Sequence, residues 1–439
     1  MKIKNVNIGN IGRFSNLNID FTNENGKILN HIILIGNNGS GKTTILESIS
    51  LTLSWFVARV KSEKGNGSII NELKINNNSN FGNIRIEVED NGVEYQWLIS
   101  KSKKGKKSEL STNLDGLNRL VDLYRTEYTE NNNSSFPILI YYDANRGVLD
   151  IPIRIRTKHN FGQLNGYDNS LKGIVDYRTF FEWFREKEDL ENEEKVSLFK
   201  TIVNSDNIDY NFLNKLNEAS DNQLNSVRLA LSTFLPEFKN IRVERKPRIH
   251  LAVDKNGEHL NLEQLSQGEK LTMAMVGDIA RRLAILNPDL KNPLLGTGIV
   301  IIDEAELHMH PKWQRSFIDR LNSTFPNCQF IYTTHSPLLI SDFRDVLCYS
   351  LSDGELFPVN QMYGLDVNQV LLDAMETEVR NSKIQELVDN FRESISKKNL
   401  KMSTVYYNKL NALLPENHIE LIKSRLLLKK IELMNEKNN

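Results

Sequence analysis

The sequence has few cysteines and no long apolar run. Only Cys328 and Cys348 occur among 439 residues, which is too few for a disulfide framework or a zinc site with four cysteine ligands. No apolar stretch reaches about 18 residues, so we expect no transmembrane span. The N-terminal residues MKIKNVNIGN lack the apolar core of a signal peptide. These absences predict a cytoplasmic protein and disfavour a membrane transporter.

An excess of positive charge is also missing. Lysine and arginine number 55 against 56 aspartate and glutamate residues, a formal net charge of -1. This balance excludes a polycation that coats nucleic acid but allows a local basic groove. The basic stretch Lys101–Lys107 (KSKKGKK) fits a solvated loop tip, which we favour because no aromatic side chain is interleaved for base stacking. It also fits a contact with the phosphate backbone of DNA or RNA.

The most specific local pattern is GNNGSGKT at Gly36–Thr43, which matches the phosphate-binding P-loop G-x-x-x-x-G-K-[ST]. The apolar run His31–Ile35 before it predicts a buried strand, and Thr44–Val57 after it has apolar residues at helical spacing. In this context backbone N–H groups and the helix N-terminus bind phosphate. Lys42 supplies a charge to the β- and γ-phosphates, and the Thr43 hydroxyl can hold Mg²⁺. The predicted nucleotide-binding residues are Gly36, Asn37, Asn38, Gly39, Ser40, Gly41, Lys42, Thr43 and Thr44.

Arg13 lies in the connection of a predicted hairpin near the start of the chain. The segments Lys2–Ile8 and Leu17–Phe21 alternate between apolar and polar residues, as strands do, and Arg13 and Phe14 fall between them. Because the P-loop follows closely, these two side chains can touch adenine or phosphate. An ordinary turn with one packed aromatic ring explains the same residues equally well, so both interpretations stand.

Two carboxylates follow another predicted strand. Gly298–Glu304 (GIVIIDE) runs from apolar residues into Asp303 and Glu304, which is typical of a fully buried parallel strand. We expect Asp303 to hold Mg²⁺ through water, and Glu304 to orient or deprotonate the water that attacks the γ-phosphate. His308 and His310 follow; two histidines are too few for a metal site, and we interpret them as loop structure.

Polar residues end two further predicted strands. The run FPILIYY ends in DANR, where Asp143, Asn145 and Arg146 can position Mg²⁺ or water, or simply cap the strand. His335 follows the run QFIYTT, where a histidine can donate to the γ-phosphate. The carboxyl ends of parallel strands meet at one ligand crevice, so we expect these residues to lie near the P-loop.

A capped helix start predicts a second anion site. In Leu265–Lys270 (LSQGEK), Ser266 and Glu269 have the spacing of a capping box, opening a helix that runs to about Leu286. Gly268 lets a phosphate approach the backbone closely, and the helix N-terminus attracts negative charge. The pattern alone is only a helix cap, and it becomes specific in combination with the P-loop.

Together these motifs resemble the ATP-binding-cassette (ABC) superfamily of the SMC and RecF type, in the order of that family. Gly36–Thr43 is similar to Walker A, LSQGE to the signature motif, Ile299–Glu304 to Walker B and His335 to the switch histidine. The resemblance implies an α/β fold, an ABC-type P-loop ATPase head with an antiparallel β subdomain, and ATP and Mg²⁺ as cofactors. It also implies head-to-tail dimers or higher oligomers, in which Ser266 and Gly268 act in trans on a neighbour's γ-phosphate.

The resemblance assigns catalysis to Lys42, Glu304 and His335. One departure concerns the Q-loop glutamine of the family, because DANR stands in its place. Asn145 and Arg146 are the two candidates to substitute for it. Asn145 is therefore included among the predicted nucleotide-binding residues, together with Arg13.

The chain divides into four predicted segments. They are ATPase lobe I at 1–165, a helical insertion at 166–240, ATPase lobe II at 241–375 and a C-terminal helical docking segment at 376–439. The insertion is too short and not heptad-like enough for the coiled-coil arm of SMC proteins. The last segment is predicted as a helical hairpin or small bundle, with apolar positions Ile384, Leu387, Val388 and Phe391, and then Tyr406, Leu410, Leu413 and Leu414.

The segment ELHMHP after Asp303 is similar to that of the overcoming-lysogenization-defect ATPases, which carry a C-terminal Toprim nuclease. No clustered acidic set of that type follows His335, so we expect this chain to lack a nuclease half. With DANR, the segment WFREKEDLEN and the helical tail, the chain resembles stand-alone ATPase subunits of bacterial anti-phage systems, such as the Septu ATPase and, less closely, the PARIS ATPase. This implies a slow or regulated ATPase that acts as an oligomeric sensor and scaffold and holds a separate effector nuclease. Two alternatives stay open: a RecF-like DNA repair ATPase, and a nucleotide-gated interaction module with little turnover.

Overall fold

The computed structural model divides the chain into two compact units, Met1–Val367 and Asn368–Asn439. The predicted helical insertion includes residues 204–219, and the last predicted segment begins at 376; these positions lie outside the described residues. Across the part of the chain that is described, no helix is both long and apolar enough to cross a membrane. The described residues are 1–107, 109–131, 134–146, 162–175, 177–203, 220–342, 344–359, 362–375, 377 and 380–438.

Strands and helices take their numbers from chain order. The strands are β1 (Lys2–Ile11), β2 (Phe14–Asp20), β3 (His31–Gly36), β4 (Phe81–Asp90), β5 (Val93–Ser102), β6 (Ile138–Tyr142), β7 (Phe238–Glu244), β8 (His250–Lys255), β9 (Glu258–Asn261), β10 (Gly298–Ile302), β11 (Cys328–Thr333), β12 (Val346–Ser352) and β13 (Glu355–Val359). The helices are α1 (Lys42–Lys61), α2 (Asp115–Glu130), α3 (Tyr177–Val203), α4 (Asn222–Phe234), α5 (Gln267–Leu286), α6 (Pro311–Thr324), α7 (Pro337–Ser341), α8 (Val367–Asp373), α9 (Ser382–Ser396), α10 (Leu400–Leu413) and α11 (Ile419–Asn438).

A six-stranded sheet lies at the core of the first unit, in the order β13-β12-β3-β11-β10-β6. All neighbouring strands are parallel except β12 and β13. Every residue of β6, β10 and β11 is buried, as expected of parallel strands that are covered on both faces. The strands predicted from continuous apolar runs are therefore confirmed, and the P-loop, DANR, Asp303 and His335 all follow their carboxyl ends.

Two antiparallel sheets flank this core. The sheet β2-β1-β4-β5 is the predicted antiparallel β subdomain, and β7, β8 and β9 form a separate three-stranded sheet. The β1–β2 hairpin is confirmed, although both strands extend further than predicted and leave only Gly12 and Arg13 between them. The β4–β5 hairpin turns at Asn91 and Gly92, whose φ angles of 49° and 77° suit a tight two-residue turn.

A buried ionic network joins α5 to β6. Asp278 is fully buried and accepts hydrogen bonds from Arg281 at 2.6 Å, from Arg282 at 2.8 Å and from the Tyr142 hydroxyl at 3.0 Å. Burial raises the pKa of Asp278, but the charges of Arg282 and Arg281 outweigh it and hold this pKa below its ordinary value. The helix that begins at Ser266 is thus tied to the strand that precedes DANR.

The second unit contains the helices α9, α10 and α11, so the predicted C-terminal hairpin has a third helix. Val388 and Phe391 are buried as predicted, whereas the prediction for Leu413 is wrong, because this side chain is 50% exposed. Ser403 and Leu410 are the buried residues of α10, and Leu413 lies at the edge of the helix face that they define. The core of the bundle consists of Val388, Phe391, Leu410, Leu421 and Leu428.

We predict that Asp278→Ala lowers the free energy of unfolding by about 3–5 kcal/mol, because two buried guanidinium groups lose their shared carboxylate. Tyr142→Phe removes one hydrogen bond but leaves both ion pairs, and should cost only about 1 kcal/mol. Urea denaturation measures both values, and an Asp278→Ala variant as stable as Tyr142→Phe would contradict the prediction. The probe is the fluorescence of the four tryptophans, all in the first unit: Trp55, Trp97, Trp183 and Trp313.

Candidate nucleotide-binding site

Glycines shape the P-loop between β3 and α1. Gly36 has φ 148°, and a Cβ atom there would lie 2.5 Å from the carbonyl oxygen of Leu351. Gly41 precedes α1 with φ 111°, and a Cβ atom there would lie 2.5 Å from the ring of Phe14. These φ angles and close approaches favour glycine over any other residue. Phe14 is thus the packed aromatic of the hairpin turn, and Arg13 beside it is exposed and stays a predicted ligand contact.

Lys42 lies over its own loop. Its amine donates to the carbonyl oxygens of Gly36, at 2.7 Å, and Asn37, at 3.2 Å, and the residue is only 7% exposed. Burial lowers the pKa of Lys42, against the opposing influence of the nearby acidic residues, foremost Asp303. The cation is therefore held where the P-loop pattern predicts a phosphate, and its hydrogen-bond partners among the described residues are two backbone carbonyls.

The loop also presents an unpaired donor. Ser40 is 4% exposed, yet its hydroxyl has no hydrogen-bond partner among the residues that the structure describes. A Cβ atom on Gly39 would meet nothing within 4 Å, so the loop is open on that side. Because a buried unpaired hydroxyl costs free energy, an anion that accepts a hydrogen bond from Ser40 fits this loop. Asn37 and Asn38 are exposed at its rim.

Asp303 is held between two threonines. Its Oδ2 atom accepts from the Thr43 hydroxyl at 2.7 Å, and its Oδ1 atom accepts from the Thr333 hydroxyl. Thr43 is the last residue of the P-loop and lies in the first turn of α1, and Thr333 ends β11. The side chain is 2% exposed. The structure thus brings together Thr43 and Asp303, the two residues predicted to hold Mg²⁺.

Glu304 follows with an unusual backbone conformation. Its φ of 47° lies in the left-handed region, which is uncommon for residues other than glycine. Its N–H donates to the Thr333 hydroxyl at 2.8 Å, and its carbonyl accepts from Arg146 Nη2 at 2.7 Å. The predicted general base is therefore positioned through both of its peptide groups.

The two candidates for the Q-loop position behave differently. Asn145 is exposed, and its backbone N–H donates to Asp143 Oδ1 at 3.0 Å, so it belongs to a local turn. Arg146 is 5% exposed and turns inward to the carbonyls of Asp303 and Glu304. Nucleotide contact by Asn145 stays a prediction, whereas Arg146 is the DANR residue that reaches the Walker B strand.

The carboxylate of Glu306, which is not among the predicted site residues, holds the backbone at His335. Glu306 accepts from the backbone N–H of His335 at 2.6 Å and from the Thr334 hydroxyl at 2.7 Å. The loop after β10 and the loop after β11 are thus joined directly. The sequence carries no signal for this contact beyond an acidic residue in ELHMHP, because the partners are 29 positions apart.

Ser266 and Gly268 begin α5 as predicted, and the capping box is present. Glu269 accepts from the backbone N–H of Ser266 at 2.9 Å, and the Ser266 hydroxyl accepts from the Glu269 N–H at 3.4 Å. Gly268 packs against the loop after β10, because a Cβ atom there would lie 2.0 Å from the carbonyl oxygen of His308. Within one chain, glycine is therefore required here by a contact with backbone. The trans contacts of Ser266 and Gly268 with phosphate stay predictions.

The second histidine of that loop has a structural role. His310 is the N-cap of α6, and its Nδ1 atom accepts from the backbone N–H of Lys312 at 3.2 Å. Together with the packing of the His308 carbonyl on Gly268, this contact agrees with the interpretation of both histidines as loop structure.

Comparison with known proteins places this geometry in a family. Residues 32–341 match the family described as "AAA domain, putative AbiEii toxin, Type IV TA system". The chain belongs to this family. The matched residues contain the P-loop, the α5 helix start and the strands that carry Asp303 and His335. The predicted α/β fold of an ABC-type P-loop ATPase head is likewise confirmed.

The relatives include proteins of bacterial defence systems. The "Retron Ec83 probable ATPase" of Escherichia coli is 32% identical over 399 residues, which cover 81% of this chain and 72% of that protein. The "Septu protein PtuA" of Bacillus thuringiensis is 24% identical over 444 residues, 94% of this chain and 95% of that one. The predicted resemblance to the Septu ATPases is confirmed.

Among solved structures, an SMC head bound to the C-winged helix domain of ScpA is 13% identical, with a TM-score of 0.46, over 82% of this chain and 98% of that chain. A likeness this distant supports no conclusion by itself.

We predict that Gly268→Ala lowers the free energy of unfolding of the isolated chain by about 1–3 kcal/mol, because the added methyl group meets a backbone carbonyl that no side-chain rotation can relieve. Higher helix propensity offsets at most about 1 kcal/mol of this cost. Thermal denaturation without nucleotide measures the effect, with Gln267→Ala at the exposed neighbouring position as control. Unchanged stability of Gly268→Ala would contradict the requirement for glycine at this contact within one chain.

Proposed function

We propose that this chain binds and hydrolyses ATP, with Mg²⁺ as its metal cofactor. The observation that carries the proposal is the 2.7 Å contact between the Thr43 hydroxyl and Asp303 Oδ2, beside Lys42 and Glu304. Because Mg²⁺ keeps several water ligands and takes few protein oxygens, one hydroxyl and one carboxylate are a sufficient set. Thr43 and Asp303 would hold the metal, which would supply positive charge next to the phosphates.

The residues of the proposed site then have defined tasks. Lys42 exchanges the Gly36 and Asn37 carbonyls, its partners in the structure, for phosphate oxygens. The P-loop amides and Ser40 donate to the same anion. Glu304 accepts a proton from the attacking water, and His335 donates to the γ-phosphate from the loop that Glu306 holds.

We further propose that the site is completed by a second copy of the chain. Ser266 is exposed at the start of α5, a helix of 20 residues whose N-terminus attracts anions. In a head-to-tail dimer, this helix start faces the γ-phosphate bound by the neighbour, and two-fold symmetry makes both sites equivalent. Arg13 and Asn145, both exposed, are the proposed additional contacts with the nucleotide.

The names of the relatives support a role in defence against phage. We propose that the chain is the sensor and scaffold subunit of an anti-phage complex that holds and regulates a separate effector nuclease. The C-terminal segment, 376–439, is the proposed docking segment, and lobe I at 1–165, the insertion at 166–240 and lobe II at 241–375 form the ATPase. Exposed apolar side chains on α11 support docking, namely Ile419, Ile422 and Leu426.

Residues 101 and 102 of the basic stretch belong to β5, and residues 104–107 are exposed, which supports the interpretation of the remainder as a solvated loop. The Lys103 amine donates to the carbonyl of Asn76 at 2.8 Å, and the Lys104 N–H donates to Glu72 at 3.1 Å. These residues therefore have partners within the chain. DNA binding by this chain alone is the alternative, and it predicts an affinity that falls steeply with salt.

We predict that Lys42→Ala weakens ATP binding about 10- to 100-fold, because a charge-assisted hydrogen bond is worth about 1.5–3 kcal/mol. Glu304→Gln should keep ATP affinity and lower turnover by about 10²- to 10⁴-fold, the usual contribution of a general base. Fluorescent-ATP titration and phosphate release measure the two effects. Glu24→Gln, an exposed carboxylate in the β2–β3 connection, is the control, and normal turnover in Glu304→Gln would remove the role given to Glu304.

We predict that the tagged chain, expressed with its native neighbouring genes, copurifies with a stoichiometric nuclease in a complex larger than a dimer. Sizing with and without ATP, and identification of the copurified proteins, is the measurement. A lone dimer that carries DNA, with binding lost at high salt, would instead favour a RecF-like repair ATPase.

A further inference from the structure

We propose that Arg146 is a positioning residue for Glu304, which fixes the general base through the main chain and does not touch the nucleotide. This inference rests on the proposed ATPase function. It gives the DANR segment a different task from that of a Q-loop glutamine, whose place it occupies.

The guanidinium of Arg146 spans two consecutive carbonyls. Nη1 donates to the carbonyl oxygen of Asp303, and Nη2 donates to that of Glu304 at 2.7 Å. Nη1 also lies 3.3 Å from the carbonyl oxygen of Asp143. A planar fork of donors matches two adjacent acceptors, which a lysine amine or a glutamine amide cannot do with the same geometry. With both terminal nitrogens occupied and 5% exposure, Arg146 is directed at the backbone.

The backbone of Glu304 needs such support. Its φ of 47° is a conformation that residues other than glycine adopt when their surroundings impose it. The Thr333 hydroxyl holds the N–H side at 2.8 Å, and Arg146 holds the carbonyl side. If Arg146 is removed, the peptide after Glu304 can rotate, and the direction of the Glu304 side chain changes with it.

The carboxylate of the neighbouring Asp303 is held without Arg146, which contacts only the main-chain carbonyl of that residue. This carboxylate accepts from the hydroxyls of Thr43 and Thr333, whereas the hydrogen bonds of Glu304 with the described residues are made by its main chain. Loss of Arg146 should therefore affect the general base more than the predicted metal ligand. ATP and Mg²⁺ binding should persist while turnover falls.

The test combines Arg146→Lys and Arg146→Met with Glu304→Gln in a double-mutant cycle. Single-turnover phosphate release, ATP affinity and melting temperature are measured for every variant. We expect Arg146→Met to lower the rate about 10- to 100-fold, as expected of a misdirected catalytic group, with ATP affinity within about 3-fold of the wild type. Arg146→Lys should recover part of the rate, and neither variant should slow Glu304→Gln further.

The matched control is Arg320→Met. Arg320 also donates to a backbone carbonyl, that of Phe234 at 2.6 Å. Neither residue belongs to the predicted nucleotide-binding site. Its loss should leave the rate unchanged.

Four results would overturn the inference. Wild-type turnover in Arg146→Met, a rate loss that multiplies with that of Glu304→Gln, and an equal fall of ATP affinity and rate each exclude action through Glu304. Failure of both Arg146 variants to fold would show a role in the fold itself. Absence of phosphate release from the wild-type chain would instead overturn the proposed ATPase function, and this inference with it.

Discussion

The hydrogen bonds between the Asp303 carboxylate and two threonines are the interaction on which the site depends. Thr43 belongs to the start of α1 and Thr333 to the end of β11, so one carboxylate fixes the P-loop helix relative to the central sheet. The carboxylate reaches both only because β10 and β11 are parallel and paired from Gly298 to Ile302. A shift of register would turn Asp303 to the other face of the sheet and break both contacts.

The same residue connects this centre to the rest of the first unit. The backbone N–H of Asp303 donates to the carbonyl of Tyr142 at 2.8 Å, and the Tyr142 hydroxyl donates to the buried Asp278 of α5. Ser266 begins that helix. A chain of contiguous contacts therefore links the proposed metal site to the helix whose start is proposed to meet a second copy, and such contacts can carry coupling between nucleotide and assembly.

Local patterns in the sequence predict most of the strands, the P-loop and the capping box, because each depends on neighbours within a few residues. The apolar runs of β3, β10 and β11 and the spacing of Ser266 and Glu269 are examples. The strands β12 and β13 were not predicted. The sequence also carries a helical pattern for α2, which was not predicted. The buried residues at helical spacing are Leu117, Leu120, Val121 and Tyr124. Contacts between distant segments cannot be predicted from such local patterns. The contact between Arg146 and Glu304 is an example, because these residues are 158 positions apart. The error at Leu413 has a similar origin, since the arrangement of three helices decides which face of α10 is buried.

Phosphate release by the purified wild-type chain, measured with ATP in the presence of Mg²⁺ and again with the metal chelated, tests the central claim most directly. The arrangement of Thr43 and Asp303 predicts release with Mg²⁺ and little or none after chelation, while a metal-independent contact through Lys42 keeps some ATP bound. An equal rate with and without the metal would contradict the proposed task of Asp303. If the chain does not bind ATP and does not release phosphate under either condition, the assignment of this crevice to ATP is contradicted.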